Sequence, residues 1–113
     1  MKVLIIEPDP IARIITERLI SFYYEPSVCS TEEEAIMLLR EHFFGAILVA
    51  SNHMEAQSKI HFLKKLKWHP FRRMKAFALC PVVNESTRTE LITGGYTEVL
   101  RKPLRIQELV ALL

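Results

Sequence analysis

The hydrophobic pattern switches along the chain between short continuous apolar runs and stretches of helical spacing. The run "KVLII" (2–6), bounded by "EPDP", suits a strand buried on both faces. Asp9 followed by Pro10 is a strong helix start, because the Asp side chain accepts from free backbone N–H groups and Pro is tolerated in the first turn. Ile11, Ile14, Ile15, Leu19 and Phe22 then recur at helical spacing, which predicts a first helix to about Tyr23.

"EPSVCS" reads as a brief second strand. Ser30 with Glu33, or Thr31 with Glu34, fits the capping box of a second helix, whose buried stripe is Ala35, Ile36, Leu38 and Leu39. "GAILVA" is a third strand. A polar loop leads to a helix near Lys59 to Trp68, a loop with Pro70 and a fourth strand, "AFALC". A fourth helix is expected to start near Asn84 or Glu85 and to end at Gly94-Gly95, where a left-handed residue can close it. "YTEVLRKPL" supplies a fifth strand and "RIQELVALL" a last helix. Five strands alternating with five helices predict an α/β fold, a parallel sheet with helices on both faces.

Length and composition narrow this further. The 113 residues suffice for one domain with a real core, spanning 1–113, and are too few for two. Half the residues are apolar and a quarter charged, the balance of a soluble globular domain. No apolar run approaches the roughly 20 residues of a membrane span. The start "MKVLIIEPDP" reads as a strand and not as a signal peptide, so the expected address is the cytoplasm. Cys29 and Cys80 lie in apolar stretches without metal-ligand spacing and are expected to be buried free thiols.

The net charge is only +2, which implies no general affinity for nucleic acid. The charges are unevenly spread, however. Between Glu55 and Glu85 there is no acid, while Lys59, Lys64, Lys65, Lys67, Arg72, Arg73 and Lys75 fall there with Trp68 and Phe71. Such a cluster could meet an acidic partner or RNA, but a solvated helix face and loop is the expected reading.

In a doubly wound sheet the residues just past each strand converge on one edge. Here they are Glu7 and Asp9, Ala50 and Ser51, Cys80, and Lys102 with Pro103. Two carboxylates and an ammonium at a sheet edge suggest an anion or metal pocket with incomplete chemistry.

In their order and spacing, "IIEPDPIAR" (5–13), "GAILVASNHM" (45–54), "AFALCP" (76–81) and "GGYTEVLRKPL" (94–104) make the whole chain resemble the receiver domain of bacterial two-component response regulators. The last segment is the most specific, with Gly95 followed seven residues later by Lys102-Pro103. The resemblance implies a flavodoxin-like, CheY-like sheet of strand order 2-1-3-4-5. It also implies a cis bond before Pro103. In that family an Asp at the end of strand 3 accepts a phosphoryl group. Acidic residues after strand 1 hold Mg²⁺, a Ser or Thr after strand 4 bonds the phosphoryl group, Lys neutralises it, and an aromatic residue on strand 5 reports the event.

The departures are systematic. The phosphoacceptor position falls on Ala50, the Ser/Thr position on Cys80, a poor hydrogen-bond donor, and the switch-aromatic position on Val99. His53-Met54 replaces the usual Met-Pro. Sliding the register by one offers only Val49 or Ser51. Asp9 is the only aspartate in the chain and already belongs to the first turn, so Asp phosphorylation at the family position is chemically excluded. With the third carboxylate gone, Glu7 and Asp9 would hold a divalent ion only weakly. Asp9 is instead expected to cap the first helix, and Glu7 to pair with Lys102.

These readings point to a pseudo-receiver: no enzyme, no cofactor, no metal, and a protein-contact role that does not depend on phosphorylation. The resemblance places the contact face, or a homodimer interface, on the fourth helix, fifth strand and fifth helix, with Arg88, Leu91, Val99, Arg101 and Arg105 as candidates. The partner would be a signalling component or an attached output domain. The last helix, ending at Leu113 in "LVALL", leaves room for one. Two rivals stand beside this reading. One is a working receiver with an unconventional phosphoacceptor such as Ser51 or His53, or with a ligand in the remnant pocket. The other is a nucleic-acid adaptor using the basic segment 59–75, with Lys64, Lys65, Lys67, Arg72 and Arg73 as its patch.

Overall fold

The computed structural model describes residues 1–50, 56–66 and 74–113. Its strands are β1 (Lys2–Ile6), β2 (Glu25–Cys29), β3 (Ala46–Val49), β4 (Lys75–Cys80) and β5 (Glu98–Arg101). They alternate with α1 (Pro10–Ser21), α2 (Glu32–Glu41), α3 (Ala56–Leu66), α4 (Glu85–Thr93) and α5 (Ile106–Leu112). All the strands pair in parallel in the order β2-β1-β3-β4-β5, as expected.

Side chains along a strand point alternately to the two faces, so each apolar strand feeds two cores. Leu4, Ile6, Ile47, Val49, Ala76 and Ala78 face a core closed by α2, α3 and α4 through Leu39, Phe62 and Leu91. Val3, Ile5, Ala46, Leu48, Phe77 and Leu79 face the other, closed by α1 and α5 through Ile20, Ile106 and Leu109. This is why β3 is apolar at every position, and β1 and β4 at every position after their first lysine. Edge strand β2 is only partly buried and tolerates Pro26.

The capping signals hold. Asp9, Thr31 and Asn84 each accept from a backbone N–H in the first turn of α1, α2 and α4. Of the two pairs open in the sequence, Thr31 with Glu34 is the one used: the Thr31 hydroxyl accepts from the Glu34 amide and donates to Glu34 Oε1. Gly94 caps α4, and Gly95 takes φ 118°, a conformation open chiefly to glycine.

Three expectations need correction. Helix α1 ends at Ser21, two residues early, where the Tyr23 and Tyr24 amides both turn back to the Ile20 carbonyl. Of the residues that give α1 its apolar period, only Leu19 packs against the core, and it does so partly buried. Ile11, Ile14, Ile15 and Phe22 are 70, 51, 53 and 79% exposed, while Thr16 and Ile20 face the core. Finally, α3 begins at Ala56, because Gln57 and Ser58 are the solvent face of its first turn and not loop. Trp68, with which that helix was expected to end, lies outside the described residues.

Candidate functional site

The backbone ladder continues one residue past the strand ends. The Glu7 amide donates to the Cys29 carbonyl, the Ala50 amide to Ile6, and the Lys102 amide to Cys80. These bonds bring Glu7, Ala50, Cys80 and Lys102 to one edge of the sheet. The peptide bond between Lys102 and Pro103 is cis.

Lys102 Nζ lies 2.6 Å from Glu7 Oε1 and donates to the Ala50 carbonyl oxygen at 2.5 Å. Glu7 is 1% exposed, and its other oxygen accepts from the Asp9 amide at 3.4 Å. Arg13 Nη1 donates to the Glu7 carbonyl at 2.9 Å, which fixes the turn between β1 and α1. A buried carboxylate is tolerable only when paired and hydrogen-bonded, and Glu7 is both. Asp9 turns away from this pair: it is exposed, and its Oδ2 accepts from the Ala12 amide at 3.0 Å as the cap of α1.

The position expected to carry a phosphoacceptor presents only the methyl group of Ala50, fully buried. Its carbonyl, not its side chain, is the group that meets Lys102. Ser51, His53 and Met54 lie outside the described residues. Among the described residues, no three His, Cys, Asp or Glu side chains gather as a metal-binding group.

Cys80 stands beside a residue whose role the sequence reading missed. Lys59 was expected on a solvated basic face, but it is 3% exposed. Its Nζ donates to Cys80 Sγ at 3.1 Å and to the Leu79 carbonyl at 3.3 Å. Its own carbonyl accepts from the Tyr96 hydroxyl at 2.9 Å. Burial, and secondarily the nearby Cys80, drives the Tyr96 hydroxyl well above the usual phenol range. The signal for Lys59 was its spacing. With Phe62, Leu63 and Leu66 it occupies the i, i+3, i+4, i+7 positions of the buried stripe.

The rest of the basic segment is dispersed. Lys64 is exposed, Lys65 pairs with Glu32 at 3.6 Å, and Lys75 donates to the Leu112 carbonyl. Lys67, Trp68, Phe71, Arg72 and Arg73 lie outside the described residues. Of the two thiols, both are free and buried, and burial, with Glu34 adding to it, pushes Cys29 up to about 12.

The expected contact face on α4, β5 and α5 is also changed. Leu91 and Val99 are 0 and 7% exposed and pack in the core, so neither can meet a partner. They sit on the inward sides of α4 and β5, a placement that apolar character alone would favour. Arg88 makes a two-point contact with Glu98, Nε to Oε1 and Nη2 to Oε2, both at 3.0 Å. That contact holds the Glu98 carboxyl below its usual range and raises Arg88. Arg101 and Arg105 remain exposed.

No family model matches the chain, and no curated protein matches it. Solved structures do. A response regulator from Thermotoga maritima superposes with TM-score 0.83 at 16% identity, over 97% of this chain and 91% of that one. The Vibrio cholerae chemotaxis protein CheY4 gives 0.82 at 19% identity, over 97 and 92%. The Saccharomyces cerevisiae receiver complex, Ypd1 with the receiver domain of Ssk1, gives 0.80 at 16% identity, over 97 and 83%. At such identities the likeness speaks for architecture alone: this chain has the fold of the response regulator receiver domains.

Proposed function

We propose that this chain is a pseudo-receiver, a signal-transduction module that works by protein contact and without Asp phosphorylation. The observation that carries this reading is the state of Lys102. Its ammonium is engaged by the Glu7 carboxylate and by the Ala50 carbonyl, at an edge where the phosphoacceptor position holds a methyl group. A basic group spent on an internal partner has little left for an incoming phosphoryl oxygen, and Ala50 has no nucleophile to receive one.

Protein contact fits the similarity to the Ssk1 receiver, which is described in complex with a phosphotransfer protein. No helix among the described residues is long and apolar enough to cross a membrane. A nucleic-acid role has less to rest on, because Lys59 is buried and Lys65 is paired with Glu32.

The test is incubation of the full chain with Mg²⁺ and acetyl phosphate, followed by intact-mass measurement. No added phosphoryl mass is expected. A stoichiometric phosphoryl adduct on any residue would overturn the reading in favour of an unconventional phosphoacceptor.

A further inference from the structure

Apart from the Glu7–Lys102 pair, the core holds an amine against a thiol. Lys59 is 3% exposed and Cys80 5%, and Lys59 Nζ lies 3.1 Å from Cys80 Sγ. Nζ also reaches the Leu79 carbonyl at 3.3 Å, and no carboxylate among the described residues lies within ion-pair distance. A lysine usually carries its charge out to water, whereas this one aims it at a sulfur. The surroundings hold it there. The Tyr96 hydroxyl donates to the Lys59 carbonyl at 2.9 Å and ties the α3 backbone to the turn after α4. That turn is packed close, since a Cβ added at Gly94 would meet Ile60 at 2.5 Å and one at Gly95 would meet Leu63 at 3.1 Å. Groups held in such proximity react as if at high concentration. Cys29 is the contrast: its Sγ donates to the Ile5 carbonyl at 3.5 Å, and burial pushes the thiol up to about 12, away from the reactive thiolate.

We propose that Lys59 and Cys80 are a cross-linking pair, joined by an Nζ–Sγ bond when peroxide oxidises the thiol. A positive charge against a sulfur is the setting in which thiols oxidise, and hydrogen peroxide is small and uncharged. In the first step the sulfur attacks one peroxide oxygen. The O–O bond breaks, an S–O bond forms, the sulfur loses two electrons, and the other oxygen leaves as water with the thiol proton. In the second step the Lys59 nitrogen, having released one proton, attacks the sulfenic sulfur. The N–S bond forms, the S–O bond breaks, and the hydroxyl leaves as water with a second proton from the nitrogen. The product is a sulfenamide with one hydrogen on nitrogen, the condensation open to a sulfenic acid beside a nitrogen. It fastens α3 to the end of β4. The inference stands apart from the pseudo-receiver reading: it needs only Lys59 and Cys80, and it gives the fold a chemical input that is not a phosphoryl group.

The test is intact-mass measurement and peptide mapping of the full chain after treatment with hydrogen peroxide. The wild type should lose about 2 Da, yield a peptide that joins Lys59 to Cys80, and regain its mass with dithiothreitol. Cys29→Ala should behave alike, which separates the bridge from a disulfide. Strands β1 and β3 stand between β2 and β4, so the two thiols are roughly 14 Å apart, beyond disulfide reach. Lys59→Met should stop at the sulfenic acid, a gain of about 16 Da that dimedone traps. Both variants should melt cooperatively.

An unchanged wild-type mass would overturn the proposal. So would a gain of about 16 Da without a joined peptide, or of about 14 Da, which would place an oxygen between nitrogen and sulfur. A loss of about 2 Da that disappears in Cys29→Ala or survives in Lys59→Met would overturn it as well. Fragmentation of the joined wild-type peptide locates the bond directly, so the outcome does not depend on either variant folding. Phosphoryl acceptance by the wild type would sink the pseudo-receiver reading and leave the bridge standing.

Discussion

Lys102 and Glu7, 95 residues apart in the chain, meet as a largely buried ion pair with Nζ 2.6 Å from Oε1. Removing one member strands the charge of the other, which costs roughly 3–5 kcal/mol for a buried pair. Lys102→Met should be the more damaging change, because Glu7 is 1% exposed whereas 16% of the Lys102 side chain reaches solvent. Glu7→Leu should fall at the low end. The double variant should recover most of the loss, since two apolar groups can replace the pair. Urea unfolding of the four proteins checks this, and strictly additive losses would refute it.

Asp9 is expected to act as a helix cap and not as a metal ligand, because its Oδ2 is bound to the Ala12 amide. Asp9→Ala should cost about 1 kcal/mol, and Asp9→Asn, which keeps a capping oxygen, should cost almost nothing. Thermal melts with and without Mg²⁺ separate the roles. A Mg²⁺-dependent stabilisation of the wild type that Asp9→Asn removes would contradict the cap.

Lys59 holds an ammonium in the core, where the described residues offer it a thiol and a carbonyl but no carboxylate within ion-pair distance. Desolvating such a charge is costly, and an apolar side chain of similar length removes that cost. Lys59→Met is therefore expected to raise stability by about 1 kcal/mol. A loss of that size would show that the contacts to Cys80 and Leu79 outweigh the desolvation.

Lys59 also marks the limit of what the sequence makes legible. The alternation of strands and helices and the caps at Asp9, Thr31 and Asn84 follow from local chemistry, the meeting of Glu7 with Lys102 follows from strand ends converging on one sheet edge, and the strand order came from the resemblance. The destination of a long amphipathic side chain follows from none of these. Lys59 looks like its neighbours Lys64 and Lys65 until its place on the helical stripe is weighed against its charge. The isoleucines of α1 show the converse, since apolar spacing reveals a stripe but not whether anything covers it. Leu91 and Val99 were mistaken for surface because the expected contact face was taken from the resemblance and not from their own inward positions.

The Cys29 thiol gives an alkaline signature. Burial first, and Glu34 second, raise it from an ordinary 9.0 to about 12. The folded state thus favours the neutral thiol, and the unfolded chain loses its proton first. This contribution to stability is fully present below pH 9 and drains away between pH 9 and about 12. The stability gap between wild type and Cys29→Ala, read from urea midpoints, should narrow as pH rises through that window. A constant gap would mean the thiol titrates normally.

On the proposed reading, an internal ion pair stands at this sheet edge in place of phosphoryl chemistry. Amide NMR spectra of the full chain, titrated with Mg²⁺ and beryllofluoride, test it most directly. No saturable shifts are expected at Glu7, Asp9, Ala50 or Lys102. Saturable shifts centred on those residues would contradict it.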